Sequence, residues 1–547
     1  MNILFIALNS PSHFAIWNYL SVEALIGHIN GVFGSRKTTC KILYCNSFDS
    51  SKPVIKEINS NKYDLIGFSV LPYTLELLQK ILQNINKIKA EIIFGNQLAT
   101  YSPEYIIRYA IKNKNINYQN VFCVLGEGEE TVEQLINVML KKSSVYAEIE
   151  SIKNICYYDG LQFHLTQLQA PDLSKLHYPP KYDISIRSQN IVEKKSKNKH
   201  ADWVEHEYFI SEDSPKINRA AIQMQLSRGC FWGNCSYCTR SSFRHGEKWK
   251  SFGINRIEKD LKNVILKLKY KVIEFSDDEF FGGRDKEHIT RINKIIDIIE
   301  NINNKIEDKI SFRIFTRPDI IYKKNESGKN KIIKETLARM QQQGLDRIYI
   351  GIESGSCKQL SRYNRGLTEQ SILKSIQILK EINLPFDCGF MLFDPLLTLD
   401  ELIDNINFYL KHDLIRGNQW FWRPVIINKG STWGDDKFEI YNKGKYNPNT
   451  MSYEYEINDK DVKFIADFID LKTKETREQL YTIKQISKTD LKFNNRIAQV
   501  AKKIVEKNGL IYVNLIRDLA IAFKNSNNEI EQLKKELLTN FKLSNKM

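Results

Sequence analysis

The sequence predicts an α/β protein with two successive parallel-sheet units and a helical tail, on three observations. Short apolar runs rich in Ile, Val and Phe alternate with segments of helical periodicity through residues 1–142, and again through 220–430. Most of those runs are continuously apolar, as expected of strands buried on both faces. Beyond about residue 450 the strand signal fades into amphipathic helical pattern, in VKFIADFIDLKTKETREQL and RIAQVAKKIVEK.

In the first unit the expected strands are ILFIAL (3–8), CKILYC (40–45), YDLIGFSV (63–70), EIIFG (91–95) and NVFCVL (120–125). LSVEALIGHI (20–29), TLELLQKILQNINKI (74–88) and EETVEQLINVML (129–140) place apolar residues at helical spacing between and after them. A βαβ alternation of this kind makes a parallel, doubly wound sheet. Residues 143–219 are a connector, with the proline-punctuated PDLSKLHYPP (171–180) and a polar run, EKKSKNKHADWVEHE, that reads as a loop. The second unit has six expected strands: AIQMQLS (221–227), VIEFS (272–276), SFRIFT (311–316), RIYIGIE (347–353), FDCGFMLF (386–393) and WFWRPVII (420–427). Helical segments such as 254–269 and 371–382 lie between them, so the expectation is a partial (β/α)6 barrel. Residues 431–547 complete the chain as a mostly helical region.

A length of 547 residues suits two to four domains, and 42% hydrophobic with 27% charged residues is ordinary for a globular protein. No apolar stretch of about 18 residues exists to span a membrane. The start, MNILFIALNS, lacks the basic n-region and cleavage site of a signal peptide and reads as a buried strand, so a cytoplasmic protein is expected. The formal charge of +15 invites a nucleic-acid partner, but the lysines are spread over the whole chain and read as solvated surface.

Nine cysteines, an odd number, with no secretion signal argue against a disulfide framework. Cys40, Cys45, Cys123, Cys156, Cys357 and Cys388 are scattered, mostly in apolar runs, and read as small hydrophobes. Cys230, Cys235 and Cys238 cluster in QLSRGCFWGNCSYC, immediately after the first strand of the second unit. That is the mouth of a barrel where loops carry chemistry. Three soft thiolates within nine residues can hold one face of an iron–sulfur cluster and leave the fourth iron open. They can also hold zinc, for which His245 is the nearest fourth ligand in sequence.

Residues 220–430 resemble the radical SAM superfamily, whose pattern is a cysteine triplet after the first barrel strand. The first spacing departs from the usual three residues, with Phe231, Trp232, Gly233 and Asn234 between the first two cysteines. The resemblance implies a [4Fe–4S] cluster and S-adenosylmethionine (SAM), cleaved to a 5′-deoxyadenosyl radical that abstracts hydrogen. It places Tyr237 near the adenine, and Asp277, Asp278 and Glu279 of FSDDEF beside the SAM amino group. Arg317 of TRPD resembles an arginine that faces the site, and Glu353 and Ser354 of GIESGS resemble residues that bind the SAM ribose or carboxylate. NRGLT (364–368) and FMLFDP (390–395) continue the likeness. No acid or base is assigned beyond the cluster.

The first unit resembles the cobalamin-binding, Rossmann-like domain that precedes many such barrels, through GFSVLPYT (67–74), FGNQLATYSPEYI (94–106) and LGEGEET (125–131). Ser69, Tyr73, Thr74, Gly95, Asn96 and Gly126 are the implied cobalamin contacts, on loops at the carboxyl ends of strands. Asn96 replaces a usual glycine, DxHxxG is absent, and His13 reads as an ordinary loop histidine. The resemblance implies a cobalamin-dependent C-methyltransferase acting on a small molecule or peptide, such as a natural-product intermediate, with flavodoxin or ferredoxin as electron donor. Two alternatives stand beside it: a cobalamin-free radical SAM cyclisation or rearrangement, and a zinc-stabilised binding protein with a vestigial barrel.

Overall fold

The computed structural model describes residues 1–8, 20–45, 48–176, 221–239, 249–416, 421–434, 443–474, 479, 480, 483, 491–525 and 530–544. His13, His245 and the polar run of the connector lie outside them.

The first sheet contains β1 (Asn2–Leu8), β2 (Thr39–Cys45), β3 (Leu65–Ser69), β4 (Glu91–Gly95), β5 (Val121–Val124), β6 (Ile155–Tyr158) and β7 (Phe163–Leu165). Their order is β2-β1-β3-β4-β5-β6-β7. The first five are parallel. Successive residues of β1 point to opposite cores, Leu4, Ile6 and Leu8 to one face and Ile3, Phe5 and Ala7 to the other. Two buried faces are the reason for the unbroken apolar runs. The chain reverses its direction of travel across the sheet between β1 and β3, which opens a crevice at their carboxyl ends.

This sheet runs past residue 142. β6 and β7 come from the expected connector and add to β5 as an antiparallel hairpin. They are four and three residues long, too short for a periodicity to register. Their turn is made by Gly160 at φ 103° and by Asp159, whose Oδ1 accepts from the Leu161 and Gln162 amides at 2.7 Å each.

The second sheet is wholly parallel and sequential: β8 (Ala221–Met224), then β11 (Val272–Phe275), β12 (Ser311–Thr316), β13 (Leu345–Glu353) and β14 (Phe386–Phe390). Between β8 and β11 in sequence lies the antiparallel pair β9 (Ser227–Gly229) and β10 (Trp249–Ser251), which closes the base of the cysteine loop. Helices Lys286–Asn303, Ser327–Gln342, Glu369–Glu381 and Leu399–Lys411 cover the outer face. The sixth expected strand lies beside β14 through a parallel bridge between Phe393 and Pro424 and the bond from the Val425 amide to the Phe393 carbonyl, 2.8 Å. Pro424 has no amide hydrogen to extend a ladder. Its end, β15 (Ile427–Asn428), leaves for a three-stranded antiparallel sheet with β16 (Lys443–Asn447) and β17 (Ser452–Tyr455), which precedes the C-terminal helices.

Helices Lys460–Lys474 and Leu491–Asn525 pack on the barrel, and Val513, Ile516, Leu519 and Phe523 of the second join its core. Each fully buried Ile or Phe contributes roughly 2 kcal/mol. Among the described residues, no helix is long and apolar enough to cross a membrane.

Candidate functional site

The cysteine loop begins where β8 ends and is held at every turn. Asp277 accepts from the Leu226 amide at 3.2 Å and from the Ser227 hydroxyl. Arg291 Nη2 donates to the Leu226 carbonyl at 3.0 Å. Gly229 and Gly233, at φ 88° and 61°, make turns that a side chain would strain. The four-residue first spacing is absorbed by the segment after β13: Trp232 Nε1 donates to the Asn364 carbonyl at 2.7 Å, and Asn364 Nδ2 donates to the Asn234 carbonyl at 2.9 Å. Gly366, at φ 61°, lies under the Trp232 ring, where an added Cβ would come within 2.2 Å of it. The loop's far end is tied by the Ser236 amide to the Tyr363 carbonyl and by the Trp433 amide to the Ser236 carbonyl, both at 3.0 Å.

Positive charge converges on the sulfurs. Arg365 Nη1 donates to Cys235 Sγ at 3.1 Å, and Arg317 Nη1 lies 4.0 Å from the same sulfur. Arg317 also makes a two-pronged pair with Asp319 at 2.9 and 3.0 Å, and stacks over the Phe231 and Trp232 rings. Burial pushes the Cys230 thiol up, while the Gly233 amide and Arg317 work the other way. Among the described residues, no three of His, Cys, Asp and Glu are grouped so as to hold a metal ion. The three thiols, with Arg365 and Arg317 beside Cys235, are the soft donor set that an iron–sulfur cluster takes.

Of the residues expected around SAM, three gather at these sulfurs: Tyr237, Arg317 and Glu353. The Tyr237 hydroxyl donates to the Glu353 carboxylate, and its ring meets Tyr363 edge-on at 5.6 Å. Glu353 ends β13 at φ 69°, just past a bulge in the β13–β14 register that turns its side chain. Burial raises its carboxyl, opposed by Arg365 and Arg317. Gly351 and Gly389 make the floor: a Cβ on Gly389 would lie 2.8 Å from both Glu353 carboxylate oxygens.

The other expected SAM residues turn elsewhere. Asp277 faces Leu226 and Ser227, and burial lifts it to about 6. Glu279 accepts from the Thr316 hydroxyl at 2.6 Å and from the Phe281 and Gly282 amides, and burial lifts it to about 7. Both carboxylates hold protein groups. Ser354 is fully buried and donates to Asn405 Oδ1 at 2.8 Å. Asp278 is half-buried between its two neighbours. Arg365 is the residue that sequence reasoning missed. NRGLT marked its segment, but only the fold shows that its guanidinium reaches a sulfur 130 positions earlier.

At the first sheet, Asn96 takes φ 76°, and its Nδ2 donates to the Ser69 hydroxyl at 3.0 Å while its Oδ1 accepts from the Gln97 amide. A Cβ on Gly95 would meet nothing within 4 Å, so the carboxyl end of β4 is open. Tyr73 is 46% exposed at φ 66°, and its amide donates to the Asn449 carbonyl at 2.5 Å. Thr74 is fully buried and bonds back to Leu71, a turn-forming role. The Gly126 amide, at φ 69°, donates to Thr100 Oγ1 at 3.0 Å.

This edge faces the cysteine loop. Tyr101, just after β4, donates from its hydroxyl to the Thr239 carbonyl at 2.6 Å. Glu127 and Glu129, just after β5, bond Arg228, two residues before Cys230. The open strand ends and the three sulfurs therefore share one interface.

Comparison with known proteins bears on this arrangement. Residues 224–409 match the family model of the Radical SAM superfamily. The chain is 25% identical over 403 residues to the 4′-phospho-dehydrooxetanocin synthase of Priestia megaterium, covering 71% of this chain and 47% of that protein, so it spans about half of that relative's length. It is 23% identical over 369 residues to an uncharacterized methyltransferase of Pyrococcus horikoshii, covering 67% and 68% of the two. Among solved structures, the fold is similar to the cobalamin-dependent S-adenosylmethionine radical enzyme OxsB with aqua-cobalamin and S-adenosylmethionine bound. The TM-score is 0.76 at 19% identity, over 100% of this chain and 75% of that one. It is also similar to the radical S-adenosylmethionine methyltransferase TsrM from Kitasatospora setae, with TM-score 0.55 and 12% identity over 75% and 71%.

Proposed function

We propose that the radical SAM domain this chain carries at residues 224–409 binds a [4Fe–4S] cluster through Cys230, Cys235 and Cys238, and works with cobalamin as a C-methyltransferase. The observation that carries the reading is the shared interface: the ligand edge of the first sheet abuts the cysteine loop through Tyr101–Thr239 and Arg228–Glu127. The names of OxsB and TsrM, with their cofactors and methyl transfer, support it by likeness of fold.

When bound, the cluster supplies the electron that cleaves SAM to a 5′-deoxyadenosyl radical, and cobalamin supplies a transferable methyl group. The chain's own part is binding, orientation and shielding. Tyr237, half-buried and backed by the buried Tyr363, offers an aromatic wall for the adenine. Glu353, raised by its bulge above Gly351 and Gly389, would accept hydrogen bonds from the ribose hydroxyls of SAM. Arg365 and Arg317 hold positive charge against the sulfurs in a buried setting, where it acts more strongly than in water. Gly95 and Asn96 leave the corrinoid face open, with Ser69 fixing the Asn96 side chain. The substrate is a small molecule or peptide and the electron donor a flavodoxin or ferredoxin.

A second reading keeps the radical cluster but drops cobalamin and ends in cyclisation or rearrangement; the absence of a DxHxxG segment favours it. Anaerobic reconstitution with iron, sulfide and hydroxocobalamin, followed by desalting and metal analysis, tests both. About four irons and one cobalt per chain are expected, the iron lost in a Cys230→Ala, Cys235→Ala, Cys238→Ala variant. Iron without cobalt overturns the cobalamin part, and zinc without iron overturns the whole.

A further inference from the structure

One ion cluster, the Arg228–Glu127 contact named above together with Glu129, joins the two halves of the site. Arg228 is in β9, one residue before the turn at Gly229 and two before Cys230. Its guanidinium is buried. Nη1 donates to Glu127 Oε2 at 3.0 Å and to Glu129 Oε2 at 3.3 Å, Nη2 to Glu129 Oε1 at 2.5 Å, and Nε to Gln225 Oε1 at 3.3 Å. Its carbon lies 5.3 Å above the Phe252 ring. Burial works against the Glu129 charge, and the Arg228 guanidinium more than offsets it, so the carboxyl sits below its ordinary range. Both acids follow Gly126, on the turn that holds the open edge of the first sheet.

The two acids are unequal. Glu129 begins helix Glu129–Leu140, is buried, and accepts two of the guanidinium hydrogen bonds. Its single negative charge balances that of Arg228. Glu127 adds one bond at 3.0 Å, keeps 23% of its side chain exposed, and is the immediate neighbour of Gly126. Glu127 is thus the acid next to the Gly126 turn, and the Arg228 it bonds lies between Ser227, held by Asp277, and the Gly229–Cys230 turn.

We infer that Glu127 and Arg228 are positioning residues that couple corrinoid binding on the first sheet to SAM binding at the cluster. The inference rests on the cobalamin-dependent reading. Coupling between two binding sites is reciprocal, so each ligand changes the affinity of the other by one common factor.

The test uses the full chain with its cluster reconstituted and left unreduced, so that SAM binds without turnover. SAM is titrated with and without hydroxocobalamin, and hydroxocobalamin with and without SAM, in wild type, Glu127→Gln and Arg228→Met. In wild type each ligand should change the other's dissociation constant by one factor, in the range of about 5 to 150. In Glu127→Gln both ligands should still bind, with the factor reduced to about two or less, while the melting temperature stays near wild type because Glu129 still holds Arg228. A role in domain docking alone would shift melting and leave the factor untouched. Arg228→Met should abolish the factor and lower melting as well. Two outcomes overturn the inference by itself: mutual independence in wild type, or an unchanged factor in Glu127→Gln. A wild type that takes up SAM but no hydroxocobalamin overturns the parent reading and the inference together.

Discussion

Arg365 donates a hydrogen bond to the Cys235 sulfur at 3.1 Å, and its other amino group donates to the Gly351 carbonyl at 2.5 Å. One buried side chain thus ties a cysteine of the first barrel loop to the strand that ends in Glu353. Removing it should act on the cluster before it acts on the fold. Arg365→Met is expected to keep its iron but to lower the cluster's reduction potential by on the order of 100 mV. A charge-assisted hydrogen bond is worth about 2 kcal/mol, and a one-electron couple shifts about 59 mV per tenfold. Anaerobic redox titration followed by electron paramagnetic resonance checks this; an unchanged potential would separate Arg365 from the cluster.

Gly389 is the floor under Glu353. A Cβ there would lie 2.8 Å from both carboxylate oxygens and 2.7 Å from the Tyr349 hydroxyl. Gly389→Ala should therefore displace Glu353 and weaken SAM binding by roughly 10-fold to 100-fold, from the loss of one or two charged hydrogen bonds. Equilibrium binding of SAM reads it, and equal affinity in the variant would remove Glu353 from the SAM site.

Asn405 is the hub behind the GIESGS turn. Its Oδ1 accepts from the Ser354 hydroxyl and the Gly355 and Ser356 amides, and its Nδ2 donates to Gln359 Oε1 at 2.9 Å. Asn405→Ala leaves those buried donors unmatched and should cost about 3 kcal/mol, seen as a lowered thermal midpoint. Asn405→Asp keeps the acceptor and should cost less.

Burial raises Asp277 to about 6 and Glu279 to about 7, from ordinary values of 3.8 and 4.5. The folded protein then holds more protons than the unfolded chain between those limits. The stability these groups provide is fully present below the unfolded values and is lost as pH rises through the folded ones, at up to about 1.4 kcal/mol per pH unit for each group. The melting temperature should fall between about pH 4 and pH 7, and Glu279→Gln should flatten that slope. A slope unchanged in the variant would show that Glu279 does not titrate there.

The cysteine triplet and the strand before it are legible in the sequence because they are local: three thiols within nine residues on a loop need no distant information. The two α/β units are legible because strands buried on both faces write unbroken apolar runs, as Ile3 to Leu8 do. The hairpin β6–β7 is not, since strands of four and three residues carry no period. β16 and β17 are hidden in the same way, with five and four residues of mixed polarity.

The sequence by itself determines which groups are available for chemistry and on which strand ends they lie. Only the tertiary structure decides where their charges go. FSDDEF puts two acids at a strand end, and packing turns Asp277 and Glu279 toward backbone amides and hydroxyls. LGEGEET lies at the carboxyl end of β5 in the first sheet, and packing gives its Glu127 and Glu129 to Arg228 of the second unit. The reason is physical: a buried charge must find an opposite charge or a set of donors, and packing brings these from 50 residues away for Asp277 and from about a hundred for Glu127 and Glu129.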